Sequence, residues 1–157
     1  MVNSLQQVLE NLRLKKSTLA LAESCTGGLL SSWVTAEPGV SDVYLGSIVS
    51  YAYSAKVDLL GVPWEVLSKD GAVSESVALK MAQGVRSKFK ADWSVSITGI
   101  AGPSGGTPEK PVGTVWISVI GPHFERAERK LFQGERQQIQ QSSAQYALDM
   151  LLQGLRS

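Results

Sequence analysis

The sequence holds one cysteine and one histidine in 157 residues. A single cysteine, Cys25, cannot close an internal disulfide and cannot supply a Cys-rich zinc site. With His123 as the lone imidazole, a histidine-based metal cluster is excluded too. No run of eighteen apolar residues is present, so no membrane span is expected. Neither sign of charge is in surplus: 15 Lys and Arg face 14 Asp and Glu. That balance carries no general nucleic-acid footprint. Residues 1–16 are polar and read as a helix rather than a signal peptide. These absences predict a protein without a Cys- or His-based metal site, membrane span or nucleic-acid partner, in a reducing, cytoplasmic compartment.

The chain is 43% hydrophobic and 18% charged, which suits one domain with a real core and argues against disorder. Leu5, Val8, Leu9 and Leu12 recur at helical spacing after Asn3 or Ser4 as a cap. Residues 18–22 are short and apolar and read as a buried strand. Leu29, Leu30, Trp33 and Val34 share a helical stripe that stops near Pro38-Gly39. Residues 43–51 are β-branched and aromatic and predict a second strand. A short helix over 54–60 follows, with Ser54 as cap and Gly61 after its end. Another short helix follows Pro63. A longer one over 74–89 carries Val77, Met81 and Val85 on one side. Residues 93–98, 114–120 and 126–132 predict three strands, the last two forming a hairpin around Gly121-Pro122. A helix over 136–152 closes the chain, with Ile139, Tyr146, Met150 and Leu151 for its buried stripe. This order predicts a layered α/β domain with a mixed sheet.

Three segments can carry chemistry. AESCTGG (22–28) joins a buried strand to a helix. Two glycines in a first helical turn cost about 1 kcal/mol each relative to alanine, a cost that a ligand approaching the backbone would explain. Free N–H groups at a helix start suit a phosphate or an oxyanion, and Ser24 stands just before them, where a nucleophile would sit. An ordinary Ser or Thr cap with packing glycines is the plainer reading. In YAYSAK (51–56), Ser54 as cap puts Lys56 in a first helical turn. The positive helix end disfavours an ammonium there, and partial burial acts the same way. A neutral amine suits a general base. Tyr51, at the end of the preceding strand, can hold or relay a proton. A solvated lysine and a core tyrosine are the alternative. The third segment, TGIAGPSGGTPEKPVG (98–113), is a shaped loop at a strand end, where ligands commonly bind. It has neither the P-loop nor the dinucleotide-fold glycine order.

His123 follows Gly121-Pro122 and reads as a surface turn residue, so it does not complete a Ser-His-Asp triad. If Ser24 is a nucleophile, Lys56 is the best candidate for its base, since Ser-Lys pairs are a known variant. Cys25 has no histidine partner and reads as a small packed residue.

AESCTGG (22–28), SYAYSAKVDLLGV (50–62), GAVSE (71–75) and SITGIAGPSGGTPEKPVGTVW (96–116) together resemble the CinA C-terminal-domain family, the nicotinamide-nucleotide amidohydrolases. The resemblance runs through nearly the whole chain, which therefore reads as a stand-alone domain, 1–157, without the larger N-terminal part of full CinA. It implies a single three-layer α/β/α domain with a mixed sheet, a homo-oligomer (dimer or larger) and a small-molecule nucleotide or amide as partner. The implied reaction is hydrolysis of the carboxamide of nicotinamide mononucleotide, with no metal or cofactor. The family's nucleophile falls on Ser24, its lysine on Lys56 and its tyrosine on Tyr51. Thr26, Gly27 and Gly28 would serve the oxyanion, and Gly99, Ile100, Ala101 and Gly102 would line the nucleotide site. Active members carry one or two arginines early in the last helix. Aligned through Gly134-Glu135-Arg136, those positions are Gln140 and Gln141, with Gln141 placed among the substrate-binding residues. A charge-assisted bond to the substrate phosphate is thereby replaced by a neutral amide contact. The alternative is a paralogue of the same fold with little or no amidase activity towards this nucleotide, altered in substrate or acting by binding.

Overall fold

The computed structural model describes residues 3–157. In chain order it runs α1 (Ser4–Lys15), β1 (Leu19–Glu23), α2 (Leu29–Ala36), a one-turn helix (Val40–Asp42), β2 (Tyr44–Val49), α3 (Tyr53–Leu60), α4 (Trp64–Asp70), α5 (Glu75–Phe89), β3 (Trp93–Gly99), β4 (Thr114–Gly121), β5 (Phe124–Leu131) and α6 (Arg136–Arg156). The five strands form one sheet in the order β2-β1-β3-β4-β5. β1 pairs parallel with both β2 and β3, while β4 and β5 are antiparallel additions. The mixed three-layer sheet is the expected fold.

β1 is buried along its whole length, and alternate side chains enter different cores. Leu19 and Leu21 join α1, α2 and α6 on one face. Ala20 and Ala22 face α3, α4 and α5 on the other. Small residues on that second face let α5 approach closely. Ser94 and Ser96 on β3, level with Ala20 and Ala22, donate to the carbonyls of Ala82 and Ala78 on α5. Ser118 on β4 donates to Ala78 as well. Gly84 is required there, because a Cβ would meet the Leu60 carbonyl oxygen at 1.9 Å. Buried hydroxyls with partners of this kind keep a close helix–sheet contact free of orphaned polar groups.

The chain leaves β1 towards the α2 face and leaves β2 towards the α3 face. Adjacent parallel strands whose connections diverge open a crevice at their carboxyl ends, the usual ligand position in such sheets. Residues 24–28 and 50–56 meet in that crevice.

Element boundaries differ from expectation in a few places. α3 begins at Tyr53, capped by Ala52 without a side-chain bond, so Ser54 is inside the helix and not its cap. Gly27 and Gly28 precede α2 rather than opening it. Their φ angles of +62° and +105° show why glycine is needed: the turn itself is left-handed. β5 starts at Phe124, because Pro122-His123 makes a tight turn. α6 runs four residues further than predicted, since Leu155 continues the buried stripe.

Candidate active site

Lys56 is the fourth residue of α3, and its N–H closes the first turn on the Ala52 carbonyl. Its side chain runs inward and is 1% exposed. The Nζ has three oxygen partners: Ser24 Oγ at 3.0 Å, the Ser50 carbonyl at 2.7 Å and the Tyr51 carbonyl at 3.3 Å. No carboxylate pairs with it among the described residues, and burial lowers its pKa from the ordinary 10.5 to about 8. Two of the three partners are carbonyls, which can only accept. A neutral amine has two protons, and those carbonyls take both. Its lone pair is then left facing the Ser24 hydroxyl, the arrangement a general base requires.

Ser24 sits at the first position after β1, with its N–H on the Ile97 carbonyl of β3. The turn behind it is held from within. Glu23, the last residue of β1, is wholly buried. One carboxylate oxygen accepts from Thr26 Oγ1 at 2.6 Å and Leu30 N at 3.0 Å. The other accepts from the N–H and hydroxyl of Ser31. The N–H of Gly27 bonds to the Ser24 carbonyl and is spent in the turn. Those of Thr26 and Gly28 have no backbone or side-chain acceptor among the described residues. Of the oxyanion donors expected from sequence, Thr26 and Gly28 are thus free through their backbones, while the Thr26 hydroxyl and Gly27 N–H are committed.

Tyr51 lies elsewhere than expected. β2 ends at Val49, so the chain has turned by residue 51 and the ring is 63% exposed. Its hydroxyl takes a bond from Arg136 Nη2 at 3.0 Å and none from Lys56 or Ser24; only its carbonyl touches the lysine. Neither a core tyrosine nor a bonded relay to Lys56 is present. Arg136 also donates to the Gly102 carbonyl at 2.7 Å, joining α6 to the 99–113 loop. A cleft of about 540 Å³ opens beside it, lined by Ala101, Pro103, Val112, Gly134, Glu135 and Arg136.

Within the loop, Ala101 lines this cleft and the Gly102 carbonyl holds Arg136 beside it, whereas Gly99 and Ile100 serve packing. A Cβ on Gly99 would meet the Thr114 carbonyl at 2.8 Å. The Ile100 N–H and carbonyl pair with Thr114 and Gly113. Gln140 turns towards the site and donates to the Cys25 carbonyl at 2.9 Å. Gln141 is on another side of α6, exposed beside Trp33, Phe132 and Tyr146, so the structure does not bring it to Ser24. One helical step of about 100° separates the two glutamines and explains the difference. The Cys25 thiol is buried and pushed up to about 12 by desolvation, which keeps it unreactive. Glu23 escaped the sequence reading; the available signal was a lone acid in an otherwise apolar strand, spaced to reach Thr26 and Ser31. Among the described residues no group of three or more His, Cys, Asp or Glu is placed to hold a metal. No helix among them is long and apolar enough to cross a membrane.

A family model described as CinA C-terminal domain matches residues 2–155. The chain belongs to the CinA C-terminal domain family. It is 50% identical over 144 residues to a CinA-like protein of Gemmatimonas aurantiaca, covering 92% of this chain and 34% of that one. To a CinA-like protein of Fervidobacterium nodosum it is 48% identical, with 88% and 34% covered. The chain therefore spans about a third of the length of these CinA-like relatives. Among solved structures it resembles a competence-damaged protein (CinA) superfamily protein of Klebsiella pneumoniae, at 30% identity and TM-score 0.93, covering 98% of this chain and 96% of that one. The competence/damage-inducible protein CihA of Agrobacterium tumefaciens is similar at 35% identity and TM-score 0.93, with 98% and 94% covered.

Proposed function

We propose that this CinA domain is an amidohydrolase acting on the carboxamide of nicotinamide mononucleotide or a related amide. The observation that carries the reading is the 3.0 Å contact between Ser24 Oγ and a buried lysine whose other two partners are carbonyls. Neutral Lys56 takes the hydroxyl proton as Ser24 Oγ attacks the amide carbon. The resulting oxyanion is received by the free N–H groups of the 24–28 turn. The C–N bond breaks as the Lys56 ammonium returns its proton to the leaving nitrogen, and ammonia departs. Water, deprotonated by Lys56, then attacks the acyl-serine ester. Ser24 recovers its proton and the carboxylic acid is released. No step needs a metal or an organic cofactor.

Arg136 supplies the charge that Gln140 lacks. It stands at the mouth of the crevice between Tyr51 and Gly102, beside the cleft, and its fork suits a phosphate. A second reading is favoured by Gln140, whose amide is already engaged by the Cys25 carbonyl: the substrate is an amide without a phosphate, and this member turns over the nucleotide poorly. The family reading brings with it a small-molecule partner, a cytoplasmic location and a homo-oligomer.

Ammonia release from nicotinamide mononucleotide and from its dephosphorylated nucleoside tests both, with Ser24→Ala as control. Serine-dependent release from the nucleotide supports the first reading. Release from the nucleoside alone selects the second. Release that survives Ser24→Ala removes the mechanism.

A further inference from the structure

We infer that Glu23 is a positioning residue that sets the attack geometry of Ser24. The inference rests on the reading of Ser24 as nucleophile but not on the choice of amide.

A fully buried carboxylate is unfavourable unless its oxygens are satisfied. Here four donors converge on it: Thr26 Oγ1, Leu30 N, Ser31 N and Ser31 Oγ. All come from the turn and first helical residues that follow Ser24. α2 itself has no side-chain cap, since Gly28 stands at that position. Glu23 therefore does from the preceding strand what a cap residue does from the helix end, and it draws the start of α2 onto the tip of β1. Ser31 Oγ lies 2.7 Å from Ser47 Oγ, so the clamp extends to β2. The backbone of Glu23 adds a second tie. Its carbonyl accepts from Ser50 N at 2.8 Å, and the Ser50 carbonyl holds Lys56 Nζ at 2.7 Å. One residue thus fixes the nucleophile through its side chain and the strand bearing the base's acceptor through its main chain.

Substitution of the side chain separates these roles. Glu23→Gln keeps the volume and the backbone, but places an NH2 group against N–H or O–H donors on one side. The turn has to shift, while the two carbonyls around Lys56 stay. Displacements of about 1 Å at a reacting atom cost on the order of a hundredfold in rate.

The experiment measures covalent labelling of Ser24 by a fluorophosphonate, which reports nucleophile geometry without reference to the natural substrate. Wild type, Glu23→Gln, Thr26→Val and Ser31→Ala are compared over pH 6–10. In the expected result Glu23→Gln lowers the labelling rate constant about 10–100-fold, with the apparent pKa unchanged and most of the protein still labelled at completion. Thr26→Val and Ser31→Ala, each removing one of the four donors, slow labelling by smaller factors. A merely structural role for Glu23 predicts the opposite pattern: a smaller labelled fraction with an unchanged rate constant. That result overturns the inference. If Glu23→Gln does not fold, the two hydroxyl variants decide by the same distinction. Labelling that is slowed as predicted, in a protein that releases no ammonia from the nucleotide, sinks the substrate reading and leaves the positioning role intact. Absence of Ser24 labelling in the wild type overturns both.

Discussion

The two halves of the sheet use similar residues to different ends. In the parallel half, Ser24 follows β1, Ser50 follows β2 and Lys56 reaches in from α3, so that a buried amine meets a serine hydroxyl beside the buried carboxylate of Glu23. In the antiparallel half, β4 carries buried Ser118, and β5 carries exposed Glu125, Arg126 and Arg129 with half-buried Glu128 and Lys130 against Tyr146 of α6. Ser118 spends its proton on an α5 carbonyl. Ser24 faces a group that can take a proton away. A buried serine becomes a reagent through its partner's chemistry and not through burial. Strand direction supplies that difference: parallel neighbours bring two carboxyl ends to one edge, whereas an antiparallel pair brings one.

The sharpest way to break this contrast is to remove one hydroxyl from each half. Ser24→Ala should lower ammonia release by at least ~10³-fold, the scale expected for loss of a nucleophile. Ser118→Ala should leave turnover within about twofold. Its cost appears in a denaturant melt instead, as about 1 kcal/mol for a lost buried hydrogen bond. Equal losses of activity would mean that the halves are not functionally distinct.

Lys56→Met should match Ser24→Ala in activity and differ from it in stability. Below pH 8 the lysine is charged in both folded and unfolded chains, and the folded state bears the full burial penalty. Between pH 8 and about 10.5 the folded lysine loses its proton first, so the unfolded state binds more protons and stability rises. The gain is up to roughly 3 kcal/mol for a shift of this size. Urea melts of the wild type across pH 7–10.5 should show that rise relative to Lys56→Met. Activity should climb over the same region with an apparent pKa of about 8. A profile with no inflection there would remove Lys56 as the base.

Arg136→Ala is a milder probe of the crevice mouth. It should raise KM for the phosphorylated substrate about 10–100-fold, the worth of a charge-assisted bond, and barely change KM for the nucleoside. The smallest effect belongs to Ser50. Its buried hydroxyl has no partner among the described residues, so Ser50→Ala should stabilise the fold by about 1 kcal/mol in the same melts.

Most of the architecture was legible because periodicity and punctuation agreed. Leu5, Val8, Leu9 and Leu12 form the buried face of α1, and Asn3 caps it as its position suggested. Every strand was misjudged by one or two residues at one end or both, where fraying and turn geometry decide. The Ser24 and Lys56 segments were visible as motifs, and their approach follows once β1 and β2 are parallel neighbours. The Tyr51 hydroxyl meets Arg136, Gln141 faces away from Ser24 and Ser54 lies inside α3, because local sequence sets neither the exact end of a turn nor the phase of a helix. Glu23 went unread for a related reason: its spacing to Thr26 and Ser31 gains meaning only after α2 folds back over the strand.

One consequence of Cys25 concerns how this protein can be watched. The chain has a single sulfhydryl, next to Ser24 and sealed from solvent. A maleimide dye has nothing to react with while the domain is folded, and a single target once the crevice opens. The same cysteine therefore serves as an internal clock for opening, read by fluorescence in the intact protein and without any engineered label.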